Sequence, residues 1–215
     1  MSWLEQLRAM NWGEASLSAM GGYVLGCFTT GYYLVRTLKG MDIRTVVSGS
    51  VGARNVGRVL GRTGFLLTTL GDGFKGALAI WAARRFFHDD RLALTALLGV
   101  VAGHIWPVQL RFRGGKGAAT SLGALCIYDW RLALVYGVVF AGCLVVVRKT
   151  TLPGLFGFLC LPAAGFWLHH DRFELTALTL LAAMILFAHR ANLIEEIPAL
   201  AARRGQTQKS ERTES

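Results

Sequence analysis

Residues 103–120 read GHIWPVQLRFRGGKGAAT, a stretch in which a long apolar run stops and cations gather among glycines. Gly114, Gly115 and Gly117 carry no Cβ, so their backbone amides can approach a phosphate closely. Lys116 stands among them as a point charge. The apolar AATSLGALCIY that follows reads as a helix whose positive N-terminus faces the same anion. The pattern differs from the nucleotide-binding P-loop, which needs four residues between its first glycine and a Gly-Lys-Ser/Thr ending. The same residues also compose an ordinary turn at a membrane surface, and the stretch alone leaves both readings open.

Around it the chain is apolar: 53% of its 215 residues are hydrophobic and its mean hydropathy is +0.43. Apolar runs recur at 17–38, 63–83, 92–110, 117–128, 132–147, 152–168 and 173–188. Several approach the roughly 20 residues that a helix needs to cross a bilayer. The expected fold is an all-α, polytopic integral membrane protein with about seven transmembrane helices. The fourth run is too short to span unaided: it must borrow from the glycine loop before it, or the count of seven is wrong.

Charge sets the expected orientation, because short loops rich in Lys and Arg stay cytoplasmic. Residues 36–62, 111–116, 148–149 and 190–215 hold 16 of the 23 basic residues and only 5 of the 13 acidic ones. This places the N-terminus outside and the C-terminus in the cytoplasm, which an odd number of crossings satisfies. The expected organisation is an outer segment 1–16, a single membrane-embedded domain 17–192 and a cytoplasmic polar tail 193–215. Trp3, Trp12, Trp81, Trp130 and Trp167 fall near the outer ends of runs, where indoles sit among headgroups. The basic excess lies in loops between spans with little aromatic interleaving, so no nucleic-acid partner is expected. Cys27, Cys126, Cys143 and Cys160 have no paired spacing and read as small buried residues rather than disulfides or metal ligands. Residues 1–15 lack a basic start and a cleavable apolar core, so no removable signal peptide is expected.

Polar residues within this apolar frame are the candidates for chemistry. Gly22, Gly26 and Thr30 recur every four residues, the stripe of a closely packed helix. The loop 40–62 contains SGSVGARNVGRVLGR, where Ser48, Ser50 and Asn55 offer neutral hydrogen bonds. If residues 55–60 are helical, Arg54, Arg58 and Arg62 share a face; the plainer reading is a positive-inside loop whose serine caps a helix. Asp72 and Lys75 stand three apart, and such groups at membrane depth need pairing, whether structural or catalytic. Pro107 turns the chain after His104 and tips it toward whatever Lys116 holds. His189 and Asn192 end the last run, while His169 and His170 face outward and His88 lies in an outer loop.

Taken together, SGSVGARNVGR, DGFKG, GHIWPVQLRFRGGKGAAT and HRANL, in this order and on these runs, resemble the bacterial acyl-phosphate:glycerol-3-phosphate acyltransferase family over about residues 22–192. The resemblance implies a seven-helix catalytic unit in the bacterial inner membrane with its active site at the cytoplasmic face. There it would move an acyl chain from acyl phosphate to the 1-hydroxyl of sn-glycerol 3-phosphate, giving lysophosphatidic acid and phosphate, the first acylation in phospholipid synthesis. It implies Ser48, Arg58, His189 and Asn192 as catalytic residues, with Ser50, Asn55, His104, Gly114, Gly115, Lys116 and Gly117 holding substrate or phosphate. No metal and no cofactor is implied. The implied partners are glycerol 3-phosphate, acyl phosphate, membrane lipid and, by function, a soluble enzyme that makes acyl phosphate. The chain departs from the family pattern at Ser50, where Asn is usual, at Arg54, where Thr is usual, and at Cys27, where Ser is common. Ala199 and Ala201 stand where the family carries glycine and glutamate.

The residues themselves agree with that chemistry. Acyl phosphate is already activated, so a protein can act by positioning and by neutralising the departing phosphate, with no obligatory covalent nucleophile. The attacking hydroxyl's proton can pass to His189 or to the substrate's own phosphate. Glycerolipid acyltransferases that rely on His-x4-Asp are excluded, since none of the five histidines has Asp at that spacing. An alcohol phosphotransferase would need clustered cytoplasmic aspartates, and Asp42 stands alone. An organic-phosphate transporter is the remaining alternative, suited by glycine-rich helices and the Asp72–Lys75 pair, but no internal repeat is visible.

Overall fold

The structure, a computed structural model, describes residues 5, 8–87, 89–194 and 196. Trp3, His88, Glu195 and the tail from 197, with Ala199 and Ala201, lie outside the described residues. Within them the regular structure is helical: α1 (Trp12–Cys27), α2 (Thr30–Lys39), α3 (Ala53–Phe87), α4 (Asp90–Ile105), α5 (Ala118–Tyr128), α6 (Trp130–Val147), α7 (Thr151–Leu159), α8 (Leu161–Trp167) and α9 (Arg172–Ala188). Short 3-10 turns lie at Ile43–Thr45 and Val108–Leu110.

Helix starts differ between the two ends of the bundle. At one end α1, α4, α6 and α9 begin at Asn11, Asp89, Asp129 and Asp171, whose side chains accept the first free amides. The same end is tied by Arg84, which donates to the carbonyls of Ile127 and Tyr128, and by His170, whose ring nitrogens lie 3.0 Å from Asp129 and 2.8 Å from Glu174. His170 is thus a half-buried brace rather than a residue merely turned outward. At the opposite end α5 and α7 begin at Gly117 and Thr150 with no side-chain cap.

The apolar runs map onto helices with three differences. Run 17–38 is broken at Phe28 and Thr29 into α1 and α2, and run 152–168 is broken at Cys160, ahead of Pro162, into α7 and α8. The fourth run borrows nothing from the glycine loop: α5 starts at Ala118 and its 11 residues reach only about 16 Å, against about 30 Å of hydrocarbon. Asp90–Leu110 and Trp130–Val147 are long and apolar enough to cross a membrane on their own. The boundary expected at residue 16 falls inside α1, which already starts at Trp12. Of the cysteines only Cys27 is buried; Cys126 is exposed and Cys143 and Cys160 are half-buried, and all four are free.

The break between α1 and α2 is splinted by one ion pair on α3. Lys75 Nζ donates to the carbonyls of Gly26 at 3.1 Å and Phe28 at 2.7 Å, groups that helix amides would otherwise have taken. Asp72 Oδ1 accepts the first amide of α2, from Thr30, at 3.3 Å. A cation therefore sits at the negative end of one helix and an anion at the positive start of the next. The two side chains lie 3.1 Å apart and are only 4% and 3% exposed. Gln109 satisfies the remaining carbonyl, that of Cys27.

Small residues let the backbones close around this pair. A Cβ on Gly22 or Gly26 of α1 would strike the α4 backbone at Ala96 or Val100, and one on Gly99 or Gly103 would strike α1 at Ala19 or Tyr23. Gly22 and Gly26 of the expected stripe thus meet a matching pair on α4, while Thr30, its third member, lies past the break on α2. Apolar side chains fill the core between α3, α4, α5, α6, α7 and α9, while Leu66, Leu70, Phe74, Trp81, Val138 and Val145 project outward. Charge inside and large apolar side chains outside suit a lipid surrounding.

Lys75→Met strips the cation from this splint and leaves Asp72 buried without its partner, so the folded protein should lose roughly 3–5 kcal/mol. Thermal unfolding of the variant in lipid measures this. A loss below about 1 kcal/mol would show that the helix break holds without the ammonium.

Candidate active site

The glycine loop folds back onto the end of α4 before it can present anything. Gly114 donates its amide to Ile105 O at 3.1 Å and Gly115 donates to His104 O at 3.0 Å. These two amides, expected to cradle phosphate, face the protein instead. The glycines are needed because a Cβ on Gly114 would meet the His104 carbonyl and one on Gly115 the His104 ring. Lys75 Nζ lies 2.8 Å from His104 Nδ1, and an ammonium can only donate. His104 therefore carries its proton on Nε2, the nitrogen that packs against Gly115. His104 is thus the floor under the loop, and the Asp72–Lys75 pair fixes its tautomer.

The loop then delivers Lys116 and Gly117. Gly117 has φ +83° and opens α5 without a side-chain cap, so the first amides of that helix begin beside Lys116. Lys116 Nζ donates to Asn192 Oδ1, which joins the loop to the end of α9. One turn earlier His189 is buried, and its Nδ1 lies 2.8 Å from Ile185 O. A carbonyl accepts, so Nδ1 holds the proton and Nε2 offers a lone pair. Burial pushes His189 down to about 4, the Ile185 bond opposes this, and the charges of Lys116 and Arg54 add to it. The imidazole is neutral at ordinary pH and can accept a proton at Nε2.

The first loop is built around Asn55. Its buried amide donates to the carbonyls of Ile43 at 3.2 Å, Val46 at 3.0 Å and Ser50 at 2.9 Å, and its Oδ1 accepts from Ser48 N at 3.4 Å. Asn55, expected among the phosphate ligands, is instead the staple that shapes residues 43–50. Ser50, half-buried, accepts from Gly52 N at 3.2 Å within the same loop. Ser48 remains exposed on the loop's surface. Arg44, paired with Asp42 at 2.6 Å, donates to Leu110 O at 2.7 Å and so ties the first loop to the glycine loop.

Residues 53–60 are helical, and Arg54, Arg58 and Arg62 line one open cleft with Phe65 and Leu66. Arg54 also donates to Thr150 Oγ1 at 3.3 Å and Thr151 Oγ1 at 3.0 Å, at the uncapped start of α7. Lys116, His189, Asn192 and Arg54 thus converge from three distant chain segments. Arg58 lies further along the cleft, and Ser48 stands on the adjoining loop. Sequence reasoning missed Thr150 and Thr151, which belong to no motif, and Gln109, which a 3-10 turn aims at Cys27 O. Such an arrangement can bind phosphate with Lys116 and arginine and take a proton from a hydroxyl at His189.

A family profile described as glycerol-3-phosphate acyltransferase matches residues 16–197. Glycerol-3-phosphate acyltransferase 1 of Desulfitobacterium hafniense (strain Y51) is 42% identical over 185 residues, covering 86% of this chain and 92% of that protein. Glycerol-3-phosphate acyltransferase of Clostridioides difficile (strain 630) is 38% identical over 180 residues, covering 81% and 88%. Among solved structures, the glycerol 3-phosphate form of PlsY (YgiH), an integral membrane glycerol 3-phosphate acyltransferase, superposes with a TM-score of 0.79 at 31% identity, covering 86% of this chain and 92% of that one. Its lysophosphatidic acid form gives 0.77 at 28% identity. With its helices, its converging cations and its sequence all in agreement, this chain belongs to the glycerol-3-phosphate acyltransferase family of integral membrane enzymes.

Proposed function

We propose that this acyltransferase takes its acyl group from acyl phosphate and places it on the 1-hydroxyl of sn-glycerol 3-phosphate, releasing phosphate and lysophosphatidic acid. The observation that carries the reading is the meeting of Lys116, Asn192, neutral His189 and Arg54 beside an uncapped helix start. Lys116 and the first amides of α5 hold the phosphate of glycerol 3-phosphate, and Asn192 positions Lys116. Arg58 neutralises the phosphate of the donor. Ser48 orients a substrate by a hydrogen bond, from a loop that Asn55 and Ser50 shape.

The hydroxyl oxygen attacks the donor's carbonyl carbon as the bond from that carbon to the phosphate oxygen breaks. The phosphate leaves with the electron pair, and the hydroxyl proton passes to His189 Nε2 or to the leaving phosphate. Direct transfer is favoured because the donor is already activated. A covalent role for Ser48 would need a base, and His189 has its Nδ1 committed to Ile185 O rather than to an acid.

The same reading sets the chain in the bacterial inner membrane as one catalytic unit over 17–192, with an outer segment 1–16 and a cytoplasmic tail 193–215. An odd number of passes, with α1 and α2 as one broken span, α7 and α8 as another and the 11-residue α5 as a short pass, puts the N-terminus outside and the site inside. A soluble enzyme making acyl phosphate would supply the donor. The transporter alternative is disfavoured by Asp72 and Lys75, which are closed by helix ends rather than facing a passage.

Protein in lipid, given labelled glycerol 3-phosphate, should form lysophosphatidic acid from acyl phosphate and none from acyl-CoA; product from acyl-CoA would overturn the donor assignment. Without the acceptor, mass spectrometry should find Ser48 unmodified, and a stoichiometric acyl adduct that glycerol 3-phosphate discharges would establish a two-step route. Lys116→Ala should raise the KM for glycerol 3-phosphate about tenfold to a hundredfold, the worth of a charge-assisted contact of roughly 1.5–3 kcal/mol. An unchanged KM would move the phosphate elsewhere. Because His189 must be neutral to accept a proton, its own acid limb in turnover should appear only as pH drops toward about 4; an acid limb near 6.5 that His189→Ala abolishes would contradict its burial. Cysteines placed at 50 or 113 in a cysteine-free background should resist an impermeant reagent on intact spheroplasts. Labelling there would reverse the orientation.

A further inference from the structure

Helix length fixes how deep the glycine loop can lie. The end of α5 stands level with the starts of α4 and α6, because Arg84 donates to the carbonyls of Ile127 at 2.6 Å and Tyr128 at 2.9 Å and pairs with Asp90 at 2.7 Å, while Asp129 both ends α5 and caps α6. That level carries Arg84, Asp90, Asp129 and Arg131 and the exposed indole of Trp130, so it lies in the headgroup zone. From there the 11 residues of α5 climb about 16 Å, which leaves Gly117 about 14 Å short of the far edge of a hydrocarbon core of about 30 Å. The 16 residues of α4 climb about 24 Å and leave Ile105 about 6 Å short. Residues 106–116 therefore connect two points that both lie below the surface of the opposite leaflet. Tilt of either helix only deepens them.

The surface of this loop suits lipid at that depth. Val108 and Phe112 are 58% and 59% exposed, and Phe112 and its neighbour Arg111 are held in left-handed backbone, φ 60° and 55°, which residues with a Cβ avoid. Two strained residues in a row thus carry a ring outward, while Leu110 just before them is buried with Val35, Ile43, Val51 and Val56. Arg111 and Arg113 flank the ring, both exposed, and residues 106–117 contain no carboxylate. Beside the loop Trp106 packs on Phe187, ring centroids 6.1 Å apart, and the Arg190 guanidinium lies 4.3 Å from the Phe187 centroid. Aromatic rings beside cations are the makeup of a membrane interface. We infer that the loop 106–113 is a wedge sunk into the cytoplasmic leaflet, with Val108 and Phe112 among acyl chains and Arg111 and Arg113 reaching back to anionic lipid headgroups. Only the choice of leaflet rests on the orientation proposed above; the depth does not. Two cations with no acid beside them select anionic headgroups over zwitterionic ones. The leaflet meets the short α5 by thinning over the loop, so water reaches Lys116 through a dip rather than across a flat surface. A soluble acidic protein would meet the same charges, but it would need the loop to stand clear of the leaflet, which α4 and α5 are too short to allow.

The test uses the full chain, freed of its four cysteines and still active as an acyltransferase, in phosphatidylglycerol nanodiscs. Single nitroxides are attached through Val108→Cys, Phe112→Cys, Val138→Cys in the middle of α6 and Lys39→Cys at the end of α2. Their collisions with oxygen, which concentrates among acyl chains, are compared with collisions with a water-soluble nickel chelate. Labels at 108 and 112 should show an oxygen-to-nickel ratio about threefold or more above that at 39, approaching that at 138. In phosphatidylcholine the ratio at 112 should fall about twofold, and Arg111→Gln with Arg113→Gln should erase the difference between the two lipids. Ratios at 108 and 112 equal to that at 39 would overturn the sunken loop and leave the patch to a soluble partner. Equal ratios at 112 in the two lipids would overturn the anionic headgroup as its partner. Should Phe112→Cys unfold the loop, Val108→Cys decides both points alone. A reversed orientation, read by the spheroplast labelling above, changes the leaflet and leaves these ratios untouched; a water-like ratio at 138 as well would instead remove α6 from the membrane.

Discussion

One ammonium group, that of Lys75, organises the membrane interior of this enzyme. It sits among two carbonyls at the end of α1, the carboxylate of Asp72 and the ring of His104. An unpaired charge at that depth would be prohibitive, so each neighbour is required by the lysine as much as the lysine by them. The consequences run outward in order. The helix between α1 and α2 can break because a cation closes one broken end and its carboxylate partner the other. His104 is held in one tautomer, and the glycine loop rests on that ring. Lys116 and Gly117 are then delivered at a fixed height beside α9. On the proposed reading, the catalytic end of the molecule is set from below, by a contact well away from the reacting atoms.

Close backbone approach is what allows so polar a centre in so thin a bundle. Gly22 and Gly26 against Gly99 and Gly103 bring α1 and α4 together without side chains between them. Gly76 and Gly123 do the same for α3 and α5, against the backbones of Thr120 and Gly73. The carbonyls of α1 can therefore reach a lysine on α3. Bulkier residues at these positions would hold the helices apart and leave the ammonium without partners.

Much of this was legible in the sequence, and the failures share a cause. That the apolar runs are helical, that Asp72 pairs with Lys75 and that Gly22 and Gly26 form a packing face all follow from local patterns, and these appear as expected. The helical face of Arg54, Arg58 and Arg62 follows from spacing alone. What a linear pattern cannot show is which of two backbone partners a group will choose. The amides of Gly114 and Gly115 bond to the end of α4, and the amide of Asn55 bonds to its own loop, although each could equally have faced an anion. The breaks at Phe28 and Cys160 were hidden because an apolar run looks the same whether or not its helix is interrupted. Arg54 was visible as a departure, but its partners Thr150 and Thr151 lie about a hundred residues away in no motif.

The uneven capping of the helices has a thermodynamic side. Asn11, Asp89, Asp129 and Asp171 each supply a stabilisation of about 1 kcal/mol to a helix start at one end, while α5 and α7 begin at the other without it. On the proposed reading a substrate phosphate completes the first of these open starts, acting as the cap that the sequence omits. Ligand and fold are then linked by mass action, and substrate concentration becomes part of what keeps that end ordered. A residue chosen to cap α5 permanently would compete with the substrate for the same amides. Marginal stability at this end would then be a condition of turnover.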